Sequence, residues 1–83
     1  MKVVFRPHAQ ERMRERGATK KEVILTAATG EQFQSKFGWI GFRRNFPYAG
    51  ASTTTRYRMK QVEAYGIKGR GNFIVITVIV KYF

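Results

Sequence analysis

The end of the chain, Phe73–Phe83, most tightly constrains how this protein can fold. It contains the run FIVITVIV, which places apolar side chains on both faces of an extended strand. A strand that is apolar on both faces has to be covered on both. We therefore expect Phe73–Phe83 to be a central or doubly covered strand, around which the rest of an 83-residue chain is arranged.

The N-terminal part predicts a short strand followed by two helices. Lys2–Arg6 is rich in β-branched and aromatic residues, and Pro7 then fits the first turn of a helix that runs to about Arg16. Gly17 suits a left-handed stop. A second helix is expected from Lys20 to the residue before Gly30, because Thr19 and Glu22 have the spacing of a capping box.

The remaining residues predict strands and turns. A short strand is expected within 32–37, strands at 39–46 and 56–65, a loop at 47–55, and a glycine-rich turn at 66–72. We expect an α+β fold in which β-α-α is followed by three or four antiparallel strands (β-α-α-β-β-β with three), and two N-terminal helices pack on a curled antiparallel sheet. The chain is short enough for one domain over residues 1–83.

The charge balance favours a polyanionic partner. Sixteen Lys and Arg residues face five Glu, which gives a net charge of +11. Such a density predicts RNA or another nucleic acid, or an acidic protein, as the partner. The alternative is a small basic protein whose Lys and Arg side chains are only hydrated and bind no partner.

Composition also narrows the chemistry and the compartment. One His, no Cys and no Asp make a poor set of metal ligands, so we expect no metal and no other cofactor. No segment has the apolar length of a membrane span, and the N-terminus has no signal-peptide pattern. We expect a cytoplasmic protein without membrane contact, and the oligomeric state is left open.

The first helix carries a possible acid-base group beside two cations. His8, Arg12 and Arg16 have i, i+4, i+8 spacing, which places them within about 80° of one another around a helix. Metal-free RNA cleavage needs a base, an acid and cations on the phosphate. His8 and Arg12 are therefore candidate catalytic residues, and Arg16, which borders the apolar stripe, is a partly structural phosphate contact. The alternative is that His8 packs at the helix start while the arginines pair with glutamates.

A second basic group is expected in the sheet. Arg58 and Lys60 are candidates for stabilising charge in a transition state, and His8 is useful only if the sheet brings one of them close to it. The other candidate nucleic-acid contacts are Arg43, Arg44, Arg56, Tyr57, Lys68 and Arg70. The alternative for the basic strand is an edge protected by charge against aggregation. For Lys68 and Arg70 it is a hairpin turn with at most a secondary phosphate contact.

Several stretches of the chain resemble a known family. HAQERMRERG at residues 8–17, followed by a capped helix, is similar to the opening of a family of small proteins of unknown function, domain-of-unknown-function family 4258. The stretches GFRRNFP from Gly41, YRMKQVE from Tyr57 and VITVIVKYF from Val75 are also similar. The first motif is the most specific of these.

The order of elements in that family also resembles the RelE/ParE-like toxins and related metal-independent ribonucleases. This fold-level resemblance implies a toxin-type endoribonuclease, neutralised by an acidic antitoxin protein. This sequence differs from the toxins in one respect. RelE-type toxins use Lys, Arg and Tyr of the late strands, whereas the candidate acid-base group here is a histidine of the first helix. The alternative function is a non-catalytic basic module that binds nucleic acid or an acidic protein.

Overall fold

The computed structural model describes residues 1–48 and 57–83. Residues 49–55 of the loop predicted at 47–55, and the candidate contact Arg56, lie outside this range. The elements in chain order are β1 (Lys2–Phe5), α1 (Pro7–Arg16), α2 (Lys20–Thr29), β2 (Glu31–Gln34), a 3-10 turn (Lys36–Gly38), β3 (Ile40–Pro47), β4 (Met59–Gly69) and β5 (Asn72–Tyr82).

The fold is α+β, as expected, but the sheet differs from the prediction. Its five strands have the order β1-β5-β4-β3-β2, and β5 is an inner strand between β1 and β4. Four strands follow α2, within the expected three or four. β1 pairs with β5 in parallel, so the sheet is mixed rather than antiparallel. This pairing places Val3 beside Phe73 and Phe5 beside Val75, which extends the core along the outer edge of β5.

The local signals for the helices are confirmed. α1 ends at Gly17, whose φ of 82° lies in the left-handed region that favours glycine. At α2 the Thr19 side chain accepts from the Glu22 amide, while the Glu22 carboxylate accepts from the Thr19 amide. No helix among the described residues is long and apolar enough to cross a bilayer.

The predicted turn at 66–72 is shorter than expected. β4 continues to Gly69, which leaves a tight turn at Arg70 and Gly71. The extended pairing contains a register shift between Tyr65 and Gly66. A Cβ atom at Gly66 would lie 1.9 Å from the Ile74 carbonyl oxygen, so the glycine serves a close strand approach rather than a turn.

The two faces of the sheet have different surroundings. On the helix-covered face, Val62, Ala64 and Val78 are buried against α1 and α2. Alternation puts Glu63 and Tyr65 on the other side, here called the open face. Neither α1 nor α2 packs on that face. Any ligand site of some extent therefore has to lie on the open face, at the helix surface or at a sheet edge.

Candidate functional site

The catalytic residues predicted from the sequence do not converge on one point. The Lys60 ammonium donates to the carbonyl of Gly17, just past the end of α1. His8 is exposed in the first turn of the same helix, nine residues earlier, which is about 13 Å along the axis. Arg58 precedes Lys60 by two residues and lies at the same sheet end. Lys60 is therefore held at the opposite end of α1 from His8, and none of the described contacts joins Arg58 to His8. A catalytic role for His8 stays a prediction.

The pattern predicts Lys60 on an exposed basic face, but the structure buries it. Lys60 is 7% exposed, and its ammonium forms a 2.8 Å ion pair with Glu22 in addition to the bond to Gly17. Burial by itself would raise the pKa of Glu22, but the bonds and charge of Lys60 and the bonds from Thr19 lower it overall. Lys60, Gly17 and Glu22 form what we call the helix-end cluster, which ties the end of α1 to the start of α2.

Arg12 and Arg16, the two candidate phosphate-binding arginines of α1, both already have partners within the protein. Arg12 forms a 2.8 Å ion pair with Glu15 on the same helix. Arg16 donates to the Val78 carbonyl at 2.6 Å, beyond Val75, where the pairing of β1 with β5 ends. Arg16 thus covers a backbone acceptor at an otherwise unpaired strand edge, in line with its expected structural part.

Arg43 and Arg44 point to opposite faces of the sheet. Arg44 is opposite Val62 on the helix-covered face, and its guanidinium lies 4.7 Å from the Phe46 ring. Arg43 is opposite Glu63 on the open face. Only Arg43 of the two therefore contributes to the open face.

The other candidate contacts are dispersed. Tyr57 is exposed, and its ring lies 6.0 Å from that of Tyr82. Lys68 and Arg70 are exposed at the hairpin end of β4, and Lys68 is about 16 Å along the strand from Glu63. Nothing in the described contacts brings these residues to a common ligand.

A different set of side chains meets on the open face. Glu63 is only 3% exposed, although neither α1 nor α2 lies on this face. The Tyr65 hydroxyl donates to its Oε1 at 2.5 Å, and the Lys81 ammonium lies 3.2 Å from its Oε2. Arg43 is directly opposite on β3. We call Arg43, Glu63, Tyr65 and Lys81 the open-face cluster.

The phenol of this cluster keeps its proton at neutral pH. Burial, followed by the hydrogen bond to Glu63 and the charge of Glu63, raises the pKa of Tyr65 from 10.0 to about 12. The neutral hydroxyl is a donor, and the carboxylate that it contacts is an acceptor. A proton donor and a proton acceptor therefore stand side by side between two cations, an arrangement suited to acid-base chemistry.

The two cations of the cluster are accessible. The Lys81 side chain is 62% exposed, and that of Arg43 is 42% exposed. Arg43 forms a 2.5 Å ion pair with Glu31, which raises the pKa of the guanidinium, and its plane lies 4.7 Å from the Phe33 ring. A guanidinium has five donor hydrogens and an ammonium three, so both can bind a phosphate in addition to their present partners.

An aromatic pocket of about 170 Å³ adjoins the cluster through the Tyr65 ring. On the other side of that ring is Phe33, at 5.7 Å in an edge-to-face arrangement. Phe33 lies across Gly41, where a Cβ atom would be 2.4 Å from the ring. Glycine at this position therefore lets the two rings meet across β3.

Sequence reasoning missed Glu63, Tyr65 and Lys81 as site residues. One signal was available: Glu63 is one of only five acids, and it sits at the centre of an alternating strand. Its cationic partners come from β3 and β5, and only the strand register reveals them. Among the described residues, no three His, Cys, Asp or Glu side chains cluster as metal ligands.

No family model, curated protein or solved structure matches this chain. The choice of site therefore rests on the residues and their geometry.

Proposed function

We propose that the protein is a metal-independent endoribonuclease of the toxin type, and that its reacting phosphate binds at the open-face cluster. The observation that carries this proposal is the buried Glu63 carboxylate, held between the Tyr65 phenol and the Lys81 ammonium on the sheet face away from α1 and α2. A carboxylate placed in this way is unusual on a surface and typical of functional sites.

The cluster contains the groups that such a reaction needs. Glu63 removes the proton from the ribose 2′-hydroxyl, whose oxygen then attacks phosphorus. The bond from phosphorus to the 5′-oxygen breaks, and Tyr65 gives that oxygen its proton. Arg43 and Lys81 stabilise the charge that develops on the phosphoryl oxygens. The products are a 2′,3′-cyclic phosphate and a 5′-hydroxyl, and proton transfer from Glu63 back to Tyr65 restores the starting state.

The wider charge distribution supports RNA as the substrate. Within residues 1–48 and 57–83, glutamates 15, 22, 31 and 63 each pair with one cation, so these pairs occupy four of the fifteen basic residues there. The large excess of positive charge attracts a polyanion over long distances and increases the rate of encounter. An acidic antitoxin that covers the same cations is the partner that this proposal implies.

The test is incubation of the purified protein in EDTA with a labelled single-stranded RNA and with the 2′-deoxy strand of the same sequence. We expect cleavage of the RNA alone, with cyclic phosphate termini. The double variant Arg43→Gln/Lys81→Gln should lose most of the rate. Lys68→Gln/Arg70→Gln removes the same charge from the distant hairpin and is the matched control. Equal loss in both variants would mean that net charge, not the cluster, determines the rate.

A non-catalytic basic module is the second candidate, and it has its own supporting observation. Both carboxylate oxygens of Glu63 already have partners, and His8 lies far from Lys60. Under this alternative the protein binds RNA, DNA or an acidic protein without changing it. Intact RNA in the same assay, together with salt-sensitive binding, would establish it.

A further inference from the structure

The aromatic pocket next to the open-face cluster has the composition of a stacking site. Aromatic and aliphatic side chains make up most of its wall, together with one lysine, one serine and one threonine. Its lining residues are Ser35, Lys36, Phe37, Trp39, Tyr65, Thr77 and Ile79. Such a lining holds a flat apolar ligand and leaves few polar groups to specify it.

Phe37 is the most unusual residue of the pocket. Its φ of 62° is the only positive φ of a non-glycine residue in the described chain, and an aromatic side chain is disfavoured there. The side chain is nevertheless 82% exposed, so burial does not offset this strain. A strained backbone that presents an aromatic ring to solvent is the kind of feature found at ligand sites.

The ring geometry decides how a flat ligand can enter. The centroids of Phe37 and Trp39 are 5.5 Å apart, with 61° between the planes. A ring inserted between two others needs about 7 Å, which is twice the usual contact distance. The ligand therefore stacks on one ring and meets the edge of the other.

The charge around the pocket identifies the ligand. Lys36 belongs to the wall, and Lys81 and Arg43 lie on the same sheet face. An uncharged aromatic ligand or an apolar peptide would form no ion pair with these cations. A nucleobase attached to a phosphate backbone uses both the rings and the cations.

We propose that the aromatic pocket binds one unpaired nucleobase of a single strand, next to the phosphate held by the open-face cluster. Tyr65 joins the two sites, since its ring lines the pocket and its hydroxyl contacts Glu63. This inference rests on the proposed function. It adds that the substrate is single-stranded and that cleavage occurs beside a stacked base.

Trp39, the only tryptophan, reports directly on occupation of the pocket. The probe is a decamer of deoxythymidylate, which lacks the 2′-hydroxyl needed for cleavage. Its control is an abasic deoxyribose phosphate strand of the same length and charge. We expect the thymidylate strand to quench Trp39 fluorescence and to bind about fivefold or more tightly than the abasic strand. Equal affinity and equal quenching by both strands would overturn the proposal.

The variant Phe37→Asn removes the ring at a residue type that tolerates a left-handed backbone. Binding of the thymidylate strand should weaken about fivefold to 100-fold, whereas binding of the abasic strand should not change. Ile24→Asn is the matched control, because it removes an exposed apolar side chain from α2. If Phe37→Asn has a native thermal melt and binds the thymidylate strand as tightly as the native chain does, the pocket does not bind a nucleobase.

The failure of this inference is separate from the failure of the proposed function. If the thymidylate strand quenches Trp39 but RNA is not cleaved, the endoribonuclease activity is refuted and nucleobase binding in the pocket is supported. If Phe37→Asn cleaves RNA at the native rate and the native chain does not prefer the thymidylate strand, nucleobase binding in the pocket is refuted. The endoribonuclease activity is then supported.

Discussion

Strand β4 contributes one charged residue to each of two clusters, and the two clusters differ in which partner is buried. In the helix-end cluster the cation is buried: Lys60 bonds to the backbone of Gly17 and to a helix-capping glutamate. In the open-face cluster the carboxylate is buried, and its cation Lys81 is mostly exposed. A buried cation with fixed backbone partners has a structural role, whereas exposed cations around a buried carboxylate can exchange partners for a ligand.

The largest stability effect should come from the helix-end cluster. Lys60→Met leaves the Gly17 carbonyl and the partly buried Glu22 carboxylate without their cation, so we expect a loss of about 2 kcal/mol. For a domain of this size that lowers Tm by about 8–16 °C, measurable by calorimetry. Lys81→Met removes a mostly exposed ammonium from Glu63, which keeps the hydrogen bond from Tyr65, so we expect a smaller loss than for Lys60→Met. Similar losses in both variants would contradict the division into a structural and a ligand-binding cluster.

A smaller loss of stability is expected at the edge of β5. Arg16→Gln removes a charged donor from the Val78 carbonyl and should cost about 1 kcal/mol in the free energy of unfolding by urea. Arg14→Gln, at an exposed position of the same helix, should change it by less than about 0.5 kcal/mol. If Arg16→Gln were neutral in stability but weakened binding of RNA, Arg16 would belong to the ligand surface instead.

Acid should weaken the helix-end cluster specifically. The folded pKa of Glu22 lies below its ordinary value of 4.5, so its contribution is present above 4.5 and is lost as the pH falls through the folded pKa. The difference in unfolding free energy between the native chain and Lys60→Met should therefore shrink in acid. A difference that stays constant on both sides of pH 4.5 would show that Glu22 and Lys60 are not coupled.

Alkali should weaken the open-face cluster. The pKa of Tyr65 is raised to about 12, so its contribution is complete below 10 and is lost as the pH rises from 10 to about 12. Tyr65→Phe should flatten the fall in Tm over this window relative to the native chain. An identical fall in both proteins would indicate that the phenol ionises as it does in the unfolded chain.

The smallest expected effect is on the salt dependence of binding. Arg43→Gln and Lys81→Gln should each reduce the slope of log affinity against log salt for a single strand by about 0.7, because each removes one phosphate contact. Arg16→Gln, whose guanidinium is held by Val78, should leave the slope unchanged. A slope that falls equally in all three would place the nucleic acid on both sides of the molecule.

The elements that depend on neighbouring residues were predictable from the sequence. Pro7 and Gly17 bound α1, and the Thr19–Glu22 pair starts α2, because each signal acts within one turn of chain. The inner position of β5 followed from its apolar faces. The parallel pairing of β1 with β5 was not predictable, because it joins residues about 70 positions apart in the chain.

The contrast between local signals and long-range pairing also explains why Lys60 was expected to be exposed and why the open-face cluster was missed. Strand alternation puts Lys60 on the same face as Val62 and Ala64, and these two apolar neighbours indicate a buried face. The charge of Lys60 suggested exposure, but Gly17 and Glu22, brought together by the helix connection, satisfy its ammonium. The open-face cluster needs the register of three strands, which no local pattern of the sequence contains.

The central claim is that Glu63, rather than His8, is the base for RNA cleavage, and a single-turnover rate comparison tests it most directly. Glu63→Gln preserves an acceptor for Tyr65 and should reduce the rate about 100-fold to 10,000-fold, while His8→Gln should remain within a few-fold of the native rate. A Glu63→Gln protein that cleaves at the native rate, beside an inactive His8→Gln, would contradict the account and return the active site to α1.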